Sequence, residues 1–166
     1  MGIHCEYARL AAADLDRARA DAAWAAERLD ALADEWVELD LEPEEARYFS
    51  VGRAWGPLHA LLQERQPTVD VVHGGTPLGI AGVLGPVRSL SPDEVRRAAQ
   101  FLSSTPFRAL ADGYDMTQLC DGEGCPDPAE HLDEERPQVL GVRYDELRRF
   151  CTAAAAAGDG VVLMLN

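Results

Sequence analysis

Four side chains in the middle of the chain have the chemistry of an anion-binding pocket. Trp55 and His59 are four residues apart, so on a helix they share one face. His73 belongs to a glycine-rich loop, and Arg88 lies shortly before a predicted helix start. An aromatic floor, a titratable imidazole and a guanidinium suit a small anionic ligand or an enzymatic pocket. A simpler interpretation is also open, in which Trp55 and His59 belong to the core and Arg88 pairs with a carboxylate.

The four cysteines raise the question of a metal site. Cys120 and Cys125 are separated by four residues, and His131 follows six residues later. Structural zinc needs four nitrogen or sulfur ligands, which usually come as two close pairs, whereas Cys5 and Cys151 stand alone. The neighbouring acidic residues lack the ligand spacing of a calcium-binding EF-hand loop. We therefore predict neither a metal site nor a cofactor.

Charge is distributed unevenly along the sequence. The chain carries 29 acidic and 15 basic residues, which gives a formal net charge of -14. Residues 1–50 and 112–135 hold most of the acids, whereas residues 51–111 hold six arginines and four acids. Such acidity argues against binding a nucleic acid backbone, favours solubility and would attract a basic protein partner. One form of that partner interaction is an immunity-type inhibitor that masks the basic groove of a nuclease toxin. A solvated acidic surface without a partner is the simpler interpretation.

The absence of lysine, and of an apolar segment long enough to span a membrane, excludes several classes of protein. All 15 basic residues are arginine, which excludes Schiff-base chemistry and a Walker-type phosphate loop. No stretch approaches the roughly 18 consecutive apolar residues of a membrane span. The N-terminus lacks the basic and apolar regions of a signal peptide. We therefore expect a cytoplasmic protein that does not enter a membrane, and the sequence leaves its oligomeric state undetermined.

The N-terminal quarter predicts a strand followed by a long helix. Residues 3–10 alternate between the two faces of a strand. Asp14 is placed to cap the helix that follows. The apolar residues then recur every three or four positions, which predicts one continuous helix; they are Leu15, Ala18, Ala22, Ala25, Leu29, Leu32 and Trp36. Trp24 lies nearly opposite this stripe, so it is either buried by a second contact or exposed as a contact for a partner.

The segment before residue 91 predicts several short elements. Residues 38–47 are acidic and contain a proline, which favours a loop or a short turn. Residues 54–62 predict a helix, and residues 69–72 predict a short strand. Residues 73–79 are rich in turn-forming residues and predict a loop, and residues 82–90 predict a short, irregular strand.

The best-defined helix start in the chain lies at Ser91. Ser91 is a good N-cap residue because its hydroxyl can accept a hydrogen bond from a free backbone N–H of the first turn. Pro92 suits the first helical position, and Glu94 completes a capping box. The apolar residues that follow recur at helical spacing, so we predict a capped central helix.

The C-terminal third predicts two helices and a final strand. Thr105 is expected to cap a short helix that ends near Ala111. Residues 112–137 predict an irregular loop with one helical turn. The last helix continues to a run of alanines, and Gly158 suits the position after its end. Residues 161–165 are all apolar, which is typical of an interior strand covered on both faces.

Two stretches of the sequence are similar to a known family. Residues 54–62 read AWGPLHALL, and residues 85–95 read GPVRSLSPDEV after the Gly74-Gly75 pair. Together with the Met1-Gly2 start and the final helix and strand, they resemble the YfbM-like family, a bacterial domain of unknown function. The resemblance spans nearly the whole chain. It implies a single α+β domain over residues 1–166, with helices packed on a small mixed sheet, and it supplies no catalytic residues.

The sequence as a whole favours a binding protein. We predict a non-enzymatic cytoplasmic binding or interaction domain with an acidic surface, and a basic protein is the expected partner. The alternatives are a small-ligand or enzymatic pocket and the immunity-type inhibitor. Whether the protein catalyses a reaction is left open. The candidate ligand or partner contacts are Trp24, Trp55, His59, His73 and Arg88.

Overall fold

The computed structural model describes residues 2–114 and 136–166, which form a five-stranded sheet with helices on both faces. The strands are β1 Cys5–Leu10, β2 Tyr48–Gly52, β3 Thr76–Gly82, β4 Gly85–Leu90 and β5 Gly160–Leu165. The helices are α1 Ala12–Ala20, α2 Ala22–Leu39, α3 Trp55–Gln63, α4 Pro92–Ser104, α5 Phe107–Ala111 and α6 Arg136–Ala157. In these residues no helix has the length and apolar character needed to cross a membrane. The predicted α+β class is confirmed.

The strand order across the sheet is β2-β1-β5-β4-β3, and every neighbouring pair is antiparallel. The expectation of a mixed sheet is therefore wrong. The physical reason lies in the connection between β4 and β5. The chain leaves the sheet after Leu90, passes through α4 and α6, and returns at Val161, which pairs directly with Leu90. Because the chain returns to the end of the sheet that it left, β5 must run opposite to β4.

The sheet has an apolar core on each face. Tyr7, Leu90 and Leu163 belong to the larger core, which includes residues of α3, α4 and α6. Leu10 and Val162 belong to the smaller core, which α1 and α2 cover. All six residues of β5 are buried. The prediction that the apolar C-terminal run forms an interior strand covered on both faces is confirmed.

The predicted long N-terminal helix is two helices. The chain leaves helical geometry at Asp21, whose φ is -137° and whose ψ is 94°. The Asp21 carboxylate accepts a hydrogen bond of 3.0 Å from the backbone N–H of Trp24 and so caps α2. The apolar spacing continues across the break because both helices bury their stripes against one face of the sheet. Asp14 lies in the first turn of α1, whereas the N-cap position is Ala11.

The capped central helix is confirmed in every predicted detail. The backbone N–H of Glu94 donates to Ser91 Oγ at 3.3 Å, and Glu94 Oε2 accepts from the Ser91 backbone N–H at 2.7 Å. Pro92 occupies the first turn. The apolar face of α4 is buried through Val95 and Leu102, among others. Local hydrogen bonding therefore fixes the point at which the chain leaves β4 and begins α4.

Two edge strands were missed, and one predicted strand is wrong. β2 lies between the predicted loop or short turn of helix at 38–47 and the predicted helix at 54–62, where no element was predicted, and β3 begins at Thr76 inside the predicted loop. Residues 69–72 form a turn instead of a strand. β3 contains Pro77 and Gly79, which usually mark turns, and its pairing with β4 shifts register between Pro77 and Ala81. An edge strand tolerates such residues because one of its sides needs no hydrogen-bond partner.

The C-terminal elements follow the prediction with one difference at a helix start. α5 begins at Phe107 with Pro106 at the N-cap position, so the expected Thr105 cap is wrong. Gly158 follows α6 with a φ of +72°, which confirms the predicted terminating glycine. Most of the predicted loop over 112–137, including its helical turn, lies outside the described residues.

Candidate functional site

A tight turn after α3 organises the candidate site. Asp70 Oδ1 accepts hydrogen bonds from the backbone N–H groups of Val72 at 2.8 Å and His73 at 2.9 Å. The backbone N–H of Gly74 donates to the Asp70 carbonyl at 3.0 Å. A side chain at Gly74 would collide with that carbonyl oxygen, so the turn requires glycine there. The result is a short, fully hydrogen-bonded turn that fixes the backbone of His73.

The helix α3 supplies two partners to the other oxygen of the same carboxylate. His59 Nε2 lies 3.0 Å from Asp70 Oδ2, and Gln63 Nε2 donates to that oxygen at 3.2 Å. These residues are four apart on α3, so their side chains reach the turn together. Burial alone would raise the pKa of Asp70, but the hydrogen bonds from His59 and the turn's backbone N–H groups lower it to about 2. The carboxylate is therefore ionised at neutral pH.

The ring of His73 contacts two other rings although the residue is exposed. It meets His59 edge to face, with 4.7 Å between the ring centroids and 80° between the planes. It also lies edge to face with Trp55, with 5.9 Å between the ring centroids and 83° between the planes. Burial, His59 and Arg88 lower the pKa of His73 from its usual 6.5, against the opposing effect of Asp70. The imidazole is therefore positioned by the protein and is predominantly neutral at neutral pH.

Trp55 belongs to both the core and the site. Its side chain is buried, and its indole N–H donates to the Ile3 carbonyl at 2.9 Å. This bond joins the start of α3 to the segment before β1. Trp55 therefore belongs to the core and also makes an edge-to-face contact with His73. Its role as a ligand contact stays a prediction.

Arg88 reaches the same place from β4. Its Nη1 donates to the carbonyl of Gly75 at 3.1 Å, and the residue is half-buried. Within residues 2–114 and 136–166, no carboxylate forms an ion pair with Arg88, in contrast to Arg9 and Arg149. The alternative in which Arg88 pairs with a carboxylate thus has no support in this part of the chain.

Arg88 and His73 both line a small cleft. Its volume is about 150 Å³. The turn residue Val72 and residues 84–86 of the β3–β4 hairpin line its sides, and Leu163 and Leu165 of β5 line its floor. The structure places His73 in contact with both Trp55 and His59. Of the four residues of the predicted pocket, His73 and Arg88 line the cleft.

Asp70 is the central residue that sequence reasoning missed. Its carboxylate contacts His59, Gln63 and the turn before Gly74. The signal was present, since an aspartate a few residues before a Gly-Gly pair is typical of a side-chain-capped turn. The interpretation of residues 69–72 as a strand concealed it, because a strand would have directed the side chain away from the backbone ahead of it.

Trp24 lies apart from this cluster, in the first turn of α2. It is half-buried against the smaller core, and the guanidinium of Arg17 lies 4.4 Å from its ring centroid. Its position opposite the apolar stripe is thus accounted for by contacts with both α1 and the sheet side of the core. A role as a partner contact stays a prediction.

The cysteines of the described residues have no reactive character. Cys5 and Cys151 are free and buried, and burial raises the pKa of each thiol to about 12. Residues 2–114 and 136–166 contain no group of three or more His, Cys, Asp or Glu side chains that is placed to hold a metal ion. Cys120, Cys125 and His131 lie outside the described residues.

Comparison with known proteins gives a family and no activity. The model of the family described as a domain of unknown function, DUF1877, matches residues 1–164. The chain therefore belongs to this family, which is the YfbM-like family suggested by the sequence motifs. No curated protein and no solved structure matches the chain. The function must accordingly be argued from the site itself.

Proposed function

We propose that the protein binds a small oxyanion, such as a carboxylate or a phosphate, in the cleft between Arg88 and His73. The observation that carries this proposal is that the half-buried Arg88 and His73, whose ring contacts His59, line one cleft. Arginine has five N–H donors in a planar fork, and the bond to Gly75 uses one of them. The others suit the paired oxygens of a carboxylate or a phosphate.

The local charge supports an anion even though the whole protein is acidic. Residues 51–111, which contain Trp55, His59, His73 and Arg88, hold more arginines than acids. Asp70 is the acid whose carboxylate contacts His59 and the turn at His73, and hydrogen bonds occupy both of its oxygens. Because the surrounding net charge of -14 repels anions at long range, affinity must come from the short-range contacts in the cleft.

The size of the cleft limits the ligand. At about 150 Å³ it is smaller than the roughly 300 Å³ at which pockets for drug-sized molecules begin. A free oxyanion or the anionic end of a larger molecule fits this space. The size of the cleft therefore supports binding of an anionic group, either free or at the end of a larger ligand.

Sulfate binding to the wild type and two arginine variants tests the proposal. Sulfate is titrated while backbone amide shifts are followed by NMR. We expect saturable shifts around Val72–Gly75 and Arg88, and a loss of about ten- to hundredfold in affinity in R88Q, since hydrogen bonds to charged groups contribute roughly 1.5–3 kcal/mol. R97Q is the matched control, because Arg97 is exposed on α4. Equal affinity of R88Q and the wild type would refute the proposal.

A second candidate function rests on the exposed surface of α2. This surface carries the acidic side chains of Glu27, Asp30, Asp34, Glu35 and Glu38, and Arg28 is the one basic residue within the helix. This acidic surface supports the predicted interaction with a basic protein. An immunity-type inhibitor that binds a basic toxin would be one protein of this kind. The prediction includes a cytoplasmic location.

The interaction surface has a direct test in a pull-down at two salt concentrations. A basic partner captured by the wild type should be lost at high salt, because surface charges are screened, and also with the D30N/D34N/E38Q variant. Capture that persists under both conditions would exclude an electrostatic interaction through α2. R88Q should leave this capture unchanged, which separates the two candidate functions.

A further inference from the structure

His73 is held in a fixed orientation, which is unusual for an exposed side chain. Its backbone N–H is bonded to Asp70, and its ring contacts the edges or faces of two other rings. Fixing an exposed side chain costs conformational entropy, so the protein stabilises this one orientation through several contacts. The orientation places the imidazole in the wall of the cleft that also contains Arg88.

Three charged or titratable groups face this imidazole from the elements around it. They are His59 from α3, Asp70 from the turn itself and Arg88 from β4. His59 and Arg88 oppose a positive charge on His73, whereas Asp70 favours it. The carboxylate of Asp70 is already bonded to His59 and Gln63 through Oδ2 and to the turn through Oδ1. Among the residues that the structure describes, no acid lines the cleft that contains His73 and Arg88.

We propose that anion binding in this cleft is coupled to the uptake of a proton by His73. The proposal rests on the proposed function. An anion placed between the two side chains neutralises the repulsion from Arg88 and accepts a hydrogen bond from the imidazolium. Bound anion and protonated His73 therefore stabilise each other, and the site takes a doubly charged oxyanion best when His73 carries its proton.

The coupling fixes the direction of the pH dependence. In the free protein the pKa of His73 lies below its usual value, so the unliganded imidazole is neutral at neutral pH. Binding raises that pKa, and affinity must then increase as the pH falls through it. An anion that raises the pKa by about one unit binds about tenfold more tightly at low pH than at high pH.

Sulfate is a suitable probe because its own charge stays constant between about pH 5 and pH 8. The dissociation constant is measured across this range, and the imidazole proton resonances of His73 are titrated with and without sulfate. We expect at least an approximately tenfold tighter binding at the acidic end and a raised pKa of His73 in the presence of sulfate. Calorimetry in buffers with different ionisation enthalpies should show uptake of up to one proton per sulfate.

Two histidine variants complete the experiment. H73Q should bind sulfate with an affinity that no longer depends on pH, and H4Q, which alters an exposed histidine before β1, should behave like the wild type. Saturable binding without pH dependence, or pH dependence that persists in H73Q, overturns the coupling and leaves the proposed function intact. The absence of saturable sulfate binding at every pH overturns both.

Discussion

Replacement of Asp70 by asparagine should destabilise the protein in a pH-dependent way. The asparagine side-chain oxygen can still accept from the backbone N–H groups of Val72 and His73, so the turn is preserved. The variant loses the charge that bonds to His59 and Gln63. The perturbation therefore isolates the charged interaction between the turn and α3.

The size of the effect follows from the pKa of Asp70. Burial would raise this pKa, but the bonds from His59 and the backbone lower it from 3.8 to about 2, a difference that corresponds to about 2.4 kcal/mol at 1.36 kcal/mol per pKa unit. The side chain is 30% exposed, so solvent screening reduces the contribution to about 1–2 kcal/mol. For a chain of this size that loss lowers Tm by about 2–8 °C.

The sign of the pH dependence is fixed by the direction of this pKa change. Because the folded state holds the pKa below its unfolded value, the stabilisation is complete above about pH 4 and is lost as the pH falls towards about 2. The measurement is urea unfolding of the wild type and D70N at pH 7 and near pH 3. The difference between them should be about 1–2 kcal/mol at pH 7 and smaller at pH 3.

A matched control is D34N, because Asp34 is exposed on α2. Its effect should stay within about 0.5 kcal/mol at both pH values, as is usual for surface substitutions. If D70N unfolds at pH 7 with the same free energy as D34N, the Asp70 carboxylate does not stabilise the turn against α3. The carboxylate would then not be the group that organises the site.

The helix cap and the buried thiols yield two further predictions. S91A should lose about 1 kcal/mol in chemical denaturation, because a backbone N–H at the start of α4 loses its partner, and an unchanged midpoint would contradict the cap. In a C120S/C125S variant, Cys5 and Cys151 should not react with a thiol reagent near pH 8 until the protein unfolds, because burial raises the pKa of both to about 12. Two equivalents of rapid reaction in the native state would refute this.

Elements defined by local chemistry could be predicted from the sequence. The start of α4 depends on Ser91, Pro92 and Glu94, which bond to one another or to the adjacent backbone. β5 could be predicted because a continuous apolar run at this length fits only a covered position. In both cases the information needed is contained within a few neighbouring residues.

Elements defined by distant partners were missed. β2 and β3 are edge strands whose residues make strand hydrogen bonds only because β1 and β4 are beside them. The break at Asp21 was concealed because the apolar residues on either side of it serve the same core. A sequence pattern reports which side chains are buried, and it does not report whether the backbone between them stays helical.

Four members of the candidate site could be predicted from the sequence, whereas Asp70 and the geometry of the site could not. The spacing of Trp55 and His59 correctly indicated a shared helix face, and their contacts with His73 follow from it. The position of Arg88 depends on how β4 lies beside β5, which no local pattern specifies. Asp70 was missed for the same reason, since its role depends on where α3 places His59 and Gln63.

The central position of β5 has a consequence for the order of assembly. β1 and β4 do not pair with each other, and residues 160–165 must insert between them to join the β1–β2 and β3–β4 pairs. Either two-stranded pair would have only marginal stability by itself. The pairing of Cys5 with Leu165 joins residues from the two ends of the sequence, and contacts of such long sequence separation favour slow folding. Leu163 and Leu165 also line the cleft. The proposed anion site therefore forms only after the two halves of the sheet are joined, and a ligand bound there would hold them together.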